Sequence, residues 1–86
     1  DGADLTDAKM NGANLADSHL GEANLVAAEL NDANLQGASL SGASLIDADL
    51  NRANLNGATA IRSTLIRVRL AGATLHAARA LGLGAT

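Results

Sequence analysis

The sequence Ala13-Asn14-Leu15 recurs as Ala23-Asn24-Leu25, Ala33-Asn34-Leu35 and Ala53-Asn54-Leu55, and shorter versions of it lie between these copies. Leu occupies almost every position ending in 5 or 0 as far as Leu75, and Ala occupies almost every position ending in 3 or 8. The residue between them is always polar. Because a fixed period decides the architecture of a chain, the five-residue unit is the basis of this fold.

An α-helix cannot use this repeat, because a step of five residues turns a helix by roughly 140° and would scatter the leucines around its circumference. In an extended segment, side chains alternate between the two sides, so Ala and Leu point inward and the polar residue between them points outward. The other two residues of each repeat are rich in Gly, Asn, Asp and Ser, which are residues that tight turns tolerate. Each repeat is therefore predicted to be a short strand followed by a corner.

The repeated pattern Ala-Asn/Asp-Leu-x-x resembles that of the pentapeptide-repeat family, and the resemblance covers nearly the whole chain. It implies an all-β fold, a right-handed quadrilateral parallel β-helix in which four repeats form one coil and the Leu and Ala side chains stack inside. Residues 1–80 would then form about four coils, and residues 81–86 a C-terminal partial coil or cap. The chain begins at Asp1 without Met and already in register, which predicts that it is a piece of a longer or processed protein.

A coil of 20 residues places each residue above the one 20 positions earlier, at a spacing of about 4.8 Å. Two columns of asparagine would result, and stacked Asn side chains can form hydrogen bonds along such a ladder. The predicted ladders are Asn14, Asn34 and Asn54, and Asn11, Asn31 and Asn51.

Charged residues support the same register. Opposite charges would be stacked in four pairs, and one pair of like charges, Glu29 and Asp49, would be mildly unfavourable. The four predicted pairs are Lys9 with Glu29, Asp32 with Arg52, Asp47 with Arg67, and Asp49 with Arg69.

Ala60 and Ala80, which are also 20 residues apart, replace the expected leucines. One interpretation is that Ile61 and Leu81 turn inward to fill the space. The alternative is two independent substitutions that leave Ile61 and Leu81 at the surface.

Composition argues against several classes of function. The chain has no Cys, no aromatic residue and a net charge of −3, which disfavours thiolate metal sites, thiol catalysis and nucleic-acid binding by stacking. His19 and His76 fall on the outward side of different repeats, and a solenoid filled with Leu has no cleft. We therefore expect no catalytic residue, no metal and no cofactor.

The polar residue in every repeat prevents an apolar run long enough for a signal peptide or a membrane span, so a soluble protein is expected, with the cytoplasm slightly favoured.

Charge is distributed unevenly along the chain. Residues 1–50 contain all nine acidic residues and Lys9, whereas residues 51–86 contain five arginines, so the two parts carry −8 and +5. In a β-helix this order becomes an axial gradient. The charges either neutralise one another across the middle coils or promote end-to-end association with a second molecule, because complementary fields steer association.

Two surfaces are candidates for contact with another protein. Val26, Ile46 and Ile66 would line up in one outward corner column, and stacked apolar residues at a solvent edge mark a possible contact site, although they could equally pack onto neighbouring corner atoms. Leu81 and Leu83 would be end contacts, either as part of a cap or in a C-terminal dimer.

The function most consistent with these features is that of a non-enzymatic structural or protein-interaction module, part of a larger protein, with flat faces that bind a protein partner. The resemblance implies one alternative, because some members of the family bind DNA gyrase as mimics of duplex DNA and confer protection from quinolones. Such mimics are long, strongly acidic, dimeric rods with Phe in the core, and this chain lacks Phe and has one basic end.

Overall fold

The computed structural model describes residues 2–74, and these residues form a right-handed quadrilateral parallel β-helix with no α-helix among them. Each strand is reduced to one bridging residue, because the chain turns a corner after every repeat. All bridges are parallel and join residues 20 positions apart, from Asp4↔Asn24 to Asn54↔Thr74. The predicted fold and register are therefore confirmed.

The bridging residues form four faces of the solenoid, which we number in chain order. Face 1 contains Asp4, Asn24, Ser44 and Thr64; face 2 contains Lys9, Glu29, Asp49 and Arg69; face 3 contains Asn14, Asn34, Asn54 and Thr74; and face 4 contains His19, Ser39 and Thr59. Two residues make each corner. Corner 1–2 consists of residues 6–7, 26–27, 46–47 and 66–67; corner 2–3 of 11–12, 31–32, 51–52 and 71–72; corner 3–4 of 16–17, 36–37 and 56–57; and corner 4–1 of 21–22, 41–42 and 61–62.

Backbone hydrogen bonds between coils hold each repeat in place. At face 1, the Asn24 amide donates to the Ala3 carbonyl at 2.8 Å, and the Leu5 amide donates to the Asn24 carbonyl at 2.7 Å. A third bond joins the corners, from the Asp7 amide to the Val26 carbonyl at 2.9 Å. This set recurs around the solenoid, so most backbone polar groups are satisfied by the neighbouring coils.

The corners are tight turns closed by a bond from the Ala amide to the preceding Leu carbonyl, such as Ala28 to Leu25 at 3.1 Å. The second corner residue has a positive φ throughout the described part of the chain, which is the geometry of a type II turn. Nine of these residues are not glycine, and their φ values lie between 55° and 63°. Because this conformation costs an L-residue roughly 1–2 kcal/mol, the ladder that surrounds each corner must hold it there.

The core is a stack of Leu and Ala in the two middle coils. The most deeply buried large side chains are Leu25, Leu30, Leu35, Leu40, Leu45 and Leu50. In the first coil, Leu5, Met10 and Leu15 pack against this core but are only partly buried. Burial therefore depends on having a coil on both sides, as expected for a solenoid that is stabilised by its nearest neighbours.

The space of the missing leucine at position 60 is not filled by Ile61. Ala60 keeps the inward position and packs against the core, whereas Ile61 is the first residue of corner 4–1 and is half-buried. The turn adapts locally: the bond from the Ser63 amide to the Ala60 carbonyl lengthens to 3.3 Å, and the Ser63 hydroxyl donates to the same carbonyl at 2.6 Å. Of the two interpretations, the structure supports the one in which Ile61 does not enter the core, although Ile61 is half-buried at the corner rather than fully exposed. Leu81 lies outside the described residues.

Truncation of a middle-coil leucine should therefore cost more than truncation of an end-coil one. We expect Leu35→Ala, at a fully buried position, to lower the free energy of unfolding by about 2–5 kcal/mol. Leu5→Ala is the matched control and should cost clearly less. Denaturant unfolding measures both, and equal losses would contradict this account of the core.

Candidate functional site

The asparagines of face 3 hold the corners that follow them. The side-chain oxygens of Asn14, Asn34 and Asn54 each accept a bond from the amide two residues later, at 3.2, 3.1 and 3.0 Å. That amide belongs to the first corner residue, so the Asn side chain supplies a partner that the turn itself lacks. The column is in the predicted register, but these oxygens bind within their own corner. A bond that does cross coils runs from the Thr74 hydroxyl to Asn54 Oδ1, at 3.2 Å.

The second predicted ladder lies at corner 2–3 and connects the coils. Asn11 Oδ1 accepts a bond from the Asn31 amide at 2.9 Å, Asn31 Oδ1 accepts one from the Asn51 amide at 3.1 Å, and Asn51 Oδ1 accepts one from the Ala71 amide at 3.0 Å. The bonds run from backbone to side chain rather than between side chains. In both columns the Asn residues thus support the backbone, which makes structural support their main role.

Three of the four predicted charge pairs are ion pairs. Arg52 binds Asp32 through two bonds of 2.9 and 3.0 Å, and Arg67 binds Asp47 through bonds of 2.7 and 3.3 Å. Arg69 lies 3.4 Å from Asp49, measured from Nε to Oδ1. All three pairs join the second coil to the third or the third to the fourth, so they neutralise charge within the molecule.

The fourth predicted pair forms no ion pair. Lys9 and Glu29 are bridged as predicted, but the Glu29 carboxylate accepts a hydrogen bond from Asn11 Nδ2 at 3.0 Å. Glu29 also lies directly below Asp49, as the register required. Glu29 and Asp49 are therefore like charges in neighbouring coils, but the Glu29 carboxylate binds Asn11 in the coil below and Asp49 pairs with Arg69 in the coil above.

Hydrogen bonds from neighbouring side chains lower the pKa of three carboxyl groups. Arg52 lowers the pKa of Asp32, Arg67 lowers that of Asp47, and Thr6 lowers that of Asp4, whose Oδ1 accepts the hydroxyl at 2.7 Å. The same bonds raise the pKa of Arg52 and Arg67. All of these groups are exposed, so solvent screens their contribution to stability.

Coil by coil, charge changes steadily along the axis. Residues 3–22 contain four acidic residues and one basic residue, for a net −3; residues 23–42 contain two acidic residues, for −2; and residues 43–62 contain two of each, for 0. The described part of the fourth coil, residues 63–74, contains Arg67 and Arg69 and carries +2. The axial gradient is thus present in the described solenoid.

The predicted apolar column lies at corner 1–2. Val26 and Ile46 are half-buried, whereas Ile66 is 36% exposed. Ile66 is the one exposed large hydrophobic residue in the described part of the chain. Its neighbours Arg67 and Arg69 have largely exposed side chains, so this edge combines an apolar centre with two cations.

A shallow notch lies at face 4 and corner 4–1, and face 1 separates that corner from corner 1–2. Its volume is about 290 Å³, and its lining consists of His19, Gly21, Glu22, Ser39, Ser41, Gly42 and Arg62. Gly42 opens the notch, because a Cβ at this position would lie 3.1 Å from the Glu22 Cγ below it. Sequence reasoning missed this feature, although a Gly between Glu22 and Arg62 in one column of the 20-residue register is visible in the sequence.

The remaining predicted contacts, Leu81 and Leu83, lie outside the described residues. Within residues 2–74, no group of three or more His, Asp or Glu side chains is arranged to hold a metal ion. The same range contains no helix that is long and apolar enough to cross a membrane.

Comparison with known proteins defines the family. The model for pentapeptide repeats matches residues 1–37 and 43–79, in eight copies. The chain therefore belongs to the pentapeptide-repeat family. No match is found among curated proteins.

Solved structures agree with this assignment. A pentapeptide repeat protein from Nostoc PCC 7120 is 40% identical with a TM-score of 0.84, over 85% of this chain and 60% of that one. One from the cyanobacterium Cyanothece 51142 is 33% identical with a TM-score of 0.79, over 96% and 54%. The chain thus spans little more than half the length of these relatives. The plasmid-mediated fluoroquinolone resistance protein QnrB1 has a TM-score of 0.60 over 92% of this chain and 38% of its own, at 20% identity, which shows a shared fold alone.

The capping role of face 3 is testable at Asn34. We expect Asn34→Ala to destabilise the protein by about 1 kcal/mol, because the Gln36 amide loses its side-chain acceptor. Asn34→Asp retains an acceptor oxygen and is the matched control. Thermal unfolding at neutral pH should rank wild type and Asn34→Asp above Asn34→Ala; similar losses in the two variants would contradict the role.

The lowered pKa values predict a stability loss in acid. A carboxyl group with a lowered pKa stabilises the fold fully above its unfolded pKa, near 4, and loses this contribution as the pH falls through the folded pKa. Substitution of both Asp32 and Asp47 by Asn should therefore flatten the fall in melting temperature below about pH 4. Asp17→Asn is the single-site control, because Asp17 lies below Gly37 in its corner column and not below an arginine. A double variant with the wild-type slope would show that these ion pairs do not contribute.

Proposed function

We propose that this chain is a non-enzymatic structural and interaction module that binds a protein partner through corner 1–2. The single observation that carries the proposal is the apolar column Val26, Ile46 and Ile66, which reaches an exposure of 36% at Ile66, toward the basic end. A stacked apolar edge with a charged border resembles the centre and rim of a small protein interface.

The charges beside Ile66 indicate the chemistry of the partner. Arg67 and Arg69 follow Ile66 from the corner onto face 2, and both side chains are more than 60% exposed while they contact Asp47 and Asp49. The longer 3.4 Å contact makes Arg69 the more available of the two guanidinium groups. The partner surface should therefore offer an apolar side chain to Ile66 and a carboxylate to Arg69.

A non-enzymatic role is supported by how the described interior is filled. Leu and Ala side chains occupy the core, and the notch at face 4 is open and shallow. Ser18 Oγ is a buried hydroxyl without a partner, but no base lies beside it in the described inward positions, which are almost all Ala and Leu. A nucleophile of this kind requires an adjacent base.

The DNA-mimic alternative has less support. A mimic of duplex DNA must present negative charge along its length, whereas the third coil of this solenoid is neutral and the described part of the fourth is positive. The likeness to QnrB1 extends to the fold and, at 20% identity, carries no function to this chain.

Site-specific crosslinking in the native cells tests the proposed contact. A photoreactive residue at position 66 should capture one discrete protein, and the same residue at Gln36, the equivalent position of corner 3–4, should not. Ile66→Asp should abolish association with the captured protein without changing thermal stability, because Ile66 lies at the surface. Equal capture from both corners, or association unaffected by Ile66→Asp, would refute the assignment of corner 1–2.

A further inference from the structure

Corner 4–1 contains two charges that have no opposite charge beside them within the described chain. Elsewhere an arginine lies directly above an aspartate: Arg52 above Asp32, and Arg67 above Asp47. At corner 4–1, Gly42 intervenes between Glu22 and Arg62, and neither side chain forms an ion pair with a described residue. Two coil spacings separate them, about 10 Å along the axis at the spacing of parallel strands. The structure therefore leaves the acid and the base of this column unpaired, on either side of the open position of Gly42.

A two-fold axis would bring these charges together between two molecules. Consider a two-fold axis that lies in the plane of the interface, perpendicular to the solenoid axis and at the level of Gly42. Each column of residues then faces the same column of the second molecule, which runs in the opposite direction. Glu22 then faces Arg62 of the second copy, and Arg62 faces its Glu22. An isologous interface requires this kind of self-complementary surface.

Side-chain size follows the same symmetry. Ile61, which is half-buried in the single molecule, would lie opposite Gly21 of the second copy, which offers no side chain. Gly42 and Ser41 would each lie against their own copies, so small residues occupy the centre where the two corners approach most closely. On each side of the two-fold axis, a large residue of one molecule therefore lies opposite a small residue of the other, and an acid lies opposite a base.

Face 4 is compatible with the same arrangement. Ser39 meets its own copy, and His19 meets Thr59, so the face presents polar groups that form hydrogen bonds without like charges in contact. On corner 3–4, Asp17 would meet Gly57. Parallel association of the same face would instead place Glu22 beside Asp17 of the second copy, two like charges that disfavour that orientation.

We infer that face 4 and corner 4–1 form a surface for antiparallel self-association, with Glu22 and Arg62 of one molecule bound to Arg62 and Glu22 of the other. The notch between the two charges is the place where the corners meet. One face of a small solenoid lies at the low end of interface sizes, so the dimer is weak and concentration-dependent. The surface is separate from corner 1–2, and its failure would leave the proposed function unaffected.

Charge reversal tests both the contact and its direction. In Glu22→Arg, two arginines face each other, and in Arg62→Glu, two glutamates do; each variant should dimerise at least about tenfold more weakly than wild type. A mixture of the two variants should recover the wild-type affinity, because the arginine introduced in one variant then faces the glutamate introduced in the other. Glu22 and Arg62 both have a positive φ. Because Glu and Arg each adopt this conformation in the wild-type chain, the two substitutions introduce no new backbone strain.

Sedimentation velocity of the full chain, at low salt and up to millimolar concentration, provides the measurement. Wild type should form a dimer that weakens at high salt, and Asp7→Arg, which changes the net charge by the same amount on corner 1–2, should dimerise as wild type does. Circular dichroism checks that every variant keeps its fold, and Glu22→Gln, a milder change, replaces any variant that does not. A monomeric wild type, charge-reversed variants that dimerise normally, failure of the mixture to recover, or larger salt-sensitive assemblies typical of end-to-end stacking would each overturn the inference.

Discussion

The parallel hydrogen-bond ladder between successive coils is the interaction on which the rest of the structure depends. A five-residue unit is too short to satisfy its own backbone groups, and each corner is closed by only one bond between backbone groups. The other bonds reach the coil above or below. No coil is therefore stable alone, and the Leu and Ala side chains reach full burial only where a coil lies on both sides, as the partly buried Leu5 and Leu15 illustrate.

This dependence explains how the chain tolerates so much local strain. Nine residues with a Cβ adopt the left-handed conformation, which isolated L-residues avoid. Most of them are fixed by a ladder bond from their own amide to the coil above, such as Ala27 to the Ile46 carbonyl at 2.8 Å. At many corners, an asparagine side chain also accepts a bond from the amide of the first corner residue, which comes directly before the residue with positive φ. The asparagine lies either on the preceding face of the same coil, as Asn34 does, or at the same corner of the coil below, as Asn11 does. Side chains that look like a recognition surface in sequence are thus largely occupied in supporting the backbone.

What remains for function is the set of groups that the repeat leaves unsatisfied. Most charges of the third and fourth coils are paired across coils, whereas Glu22 and Arg62 are separated by a glycine. Most apolar side chains are inside, whereas Ile66 is exposed beside two arginines. Since the repeat fixes the positions of all these groups to within one coil spacing, small departures from it distinguish one edge of the solenoid from another. Corner 1–2 and corner 4–1 differ from the rest for this reason.

The sequence by itself determined the strand-and-corner division, because a five-residue period of Ala, a polar residue and Leu suits an extended segment and not a helix. The coil of four repeats followed from the resemblance of that repeat to the pentapeptide-repeat family. The stacking of Asp32 with Arg52, Asp47 with Arg67 and Asp49 with Arg69 at a spacing of 20 residues supported it. Only the tertiary structure decided how each polar side chain is used. Asn34 could have bonded to its neighbours in the column but accepts an amide of its own corner; Glu29 could have paired with Lys9 but binds Asn11; and Ile61 could have entered the core but stayed at the corner. In each case two alternative partners or positions lie within a few ångströms of the side chain. The repeat places both alternatives near the side chain, but it does not show which of them has the lower energy.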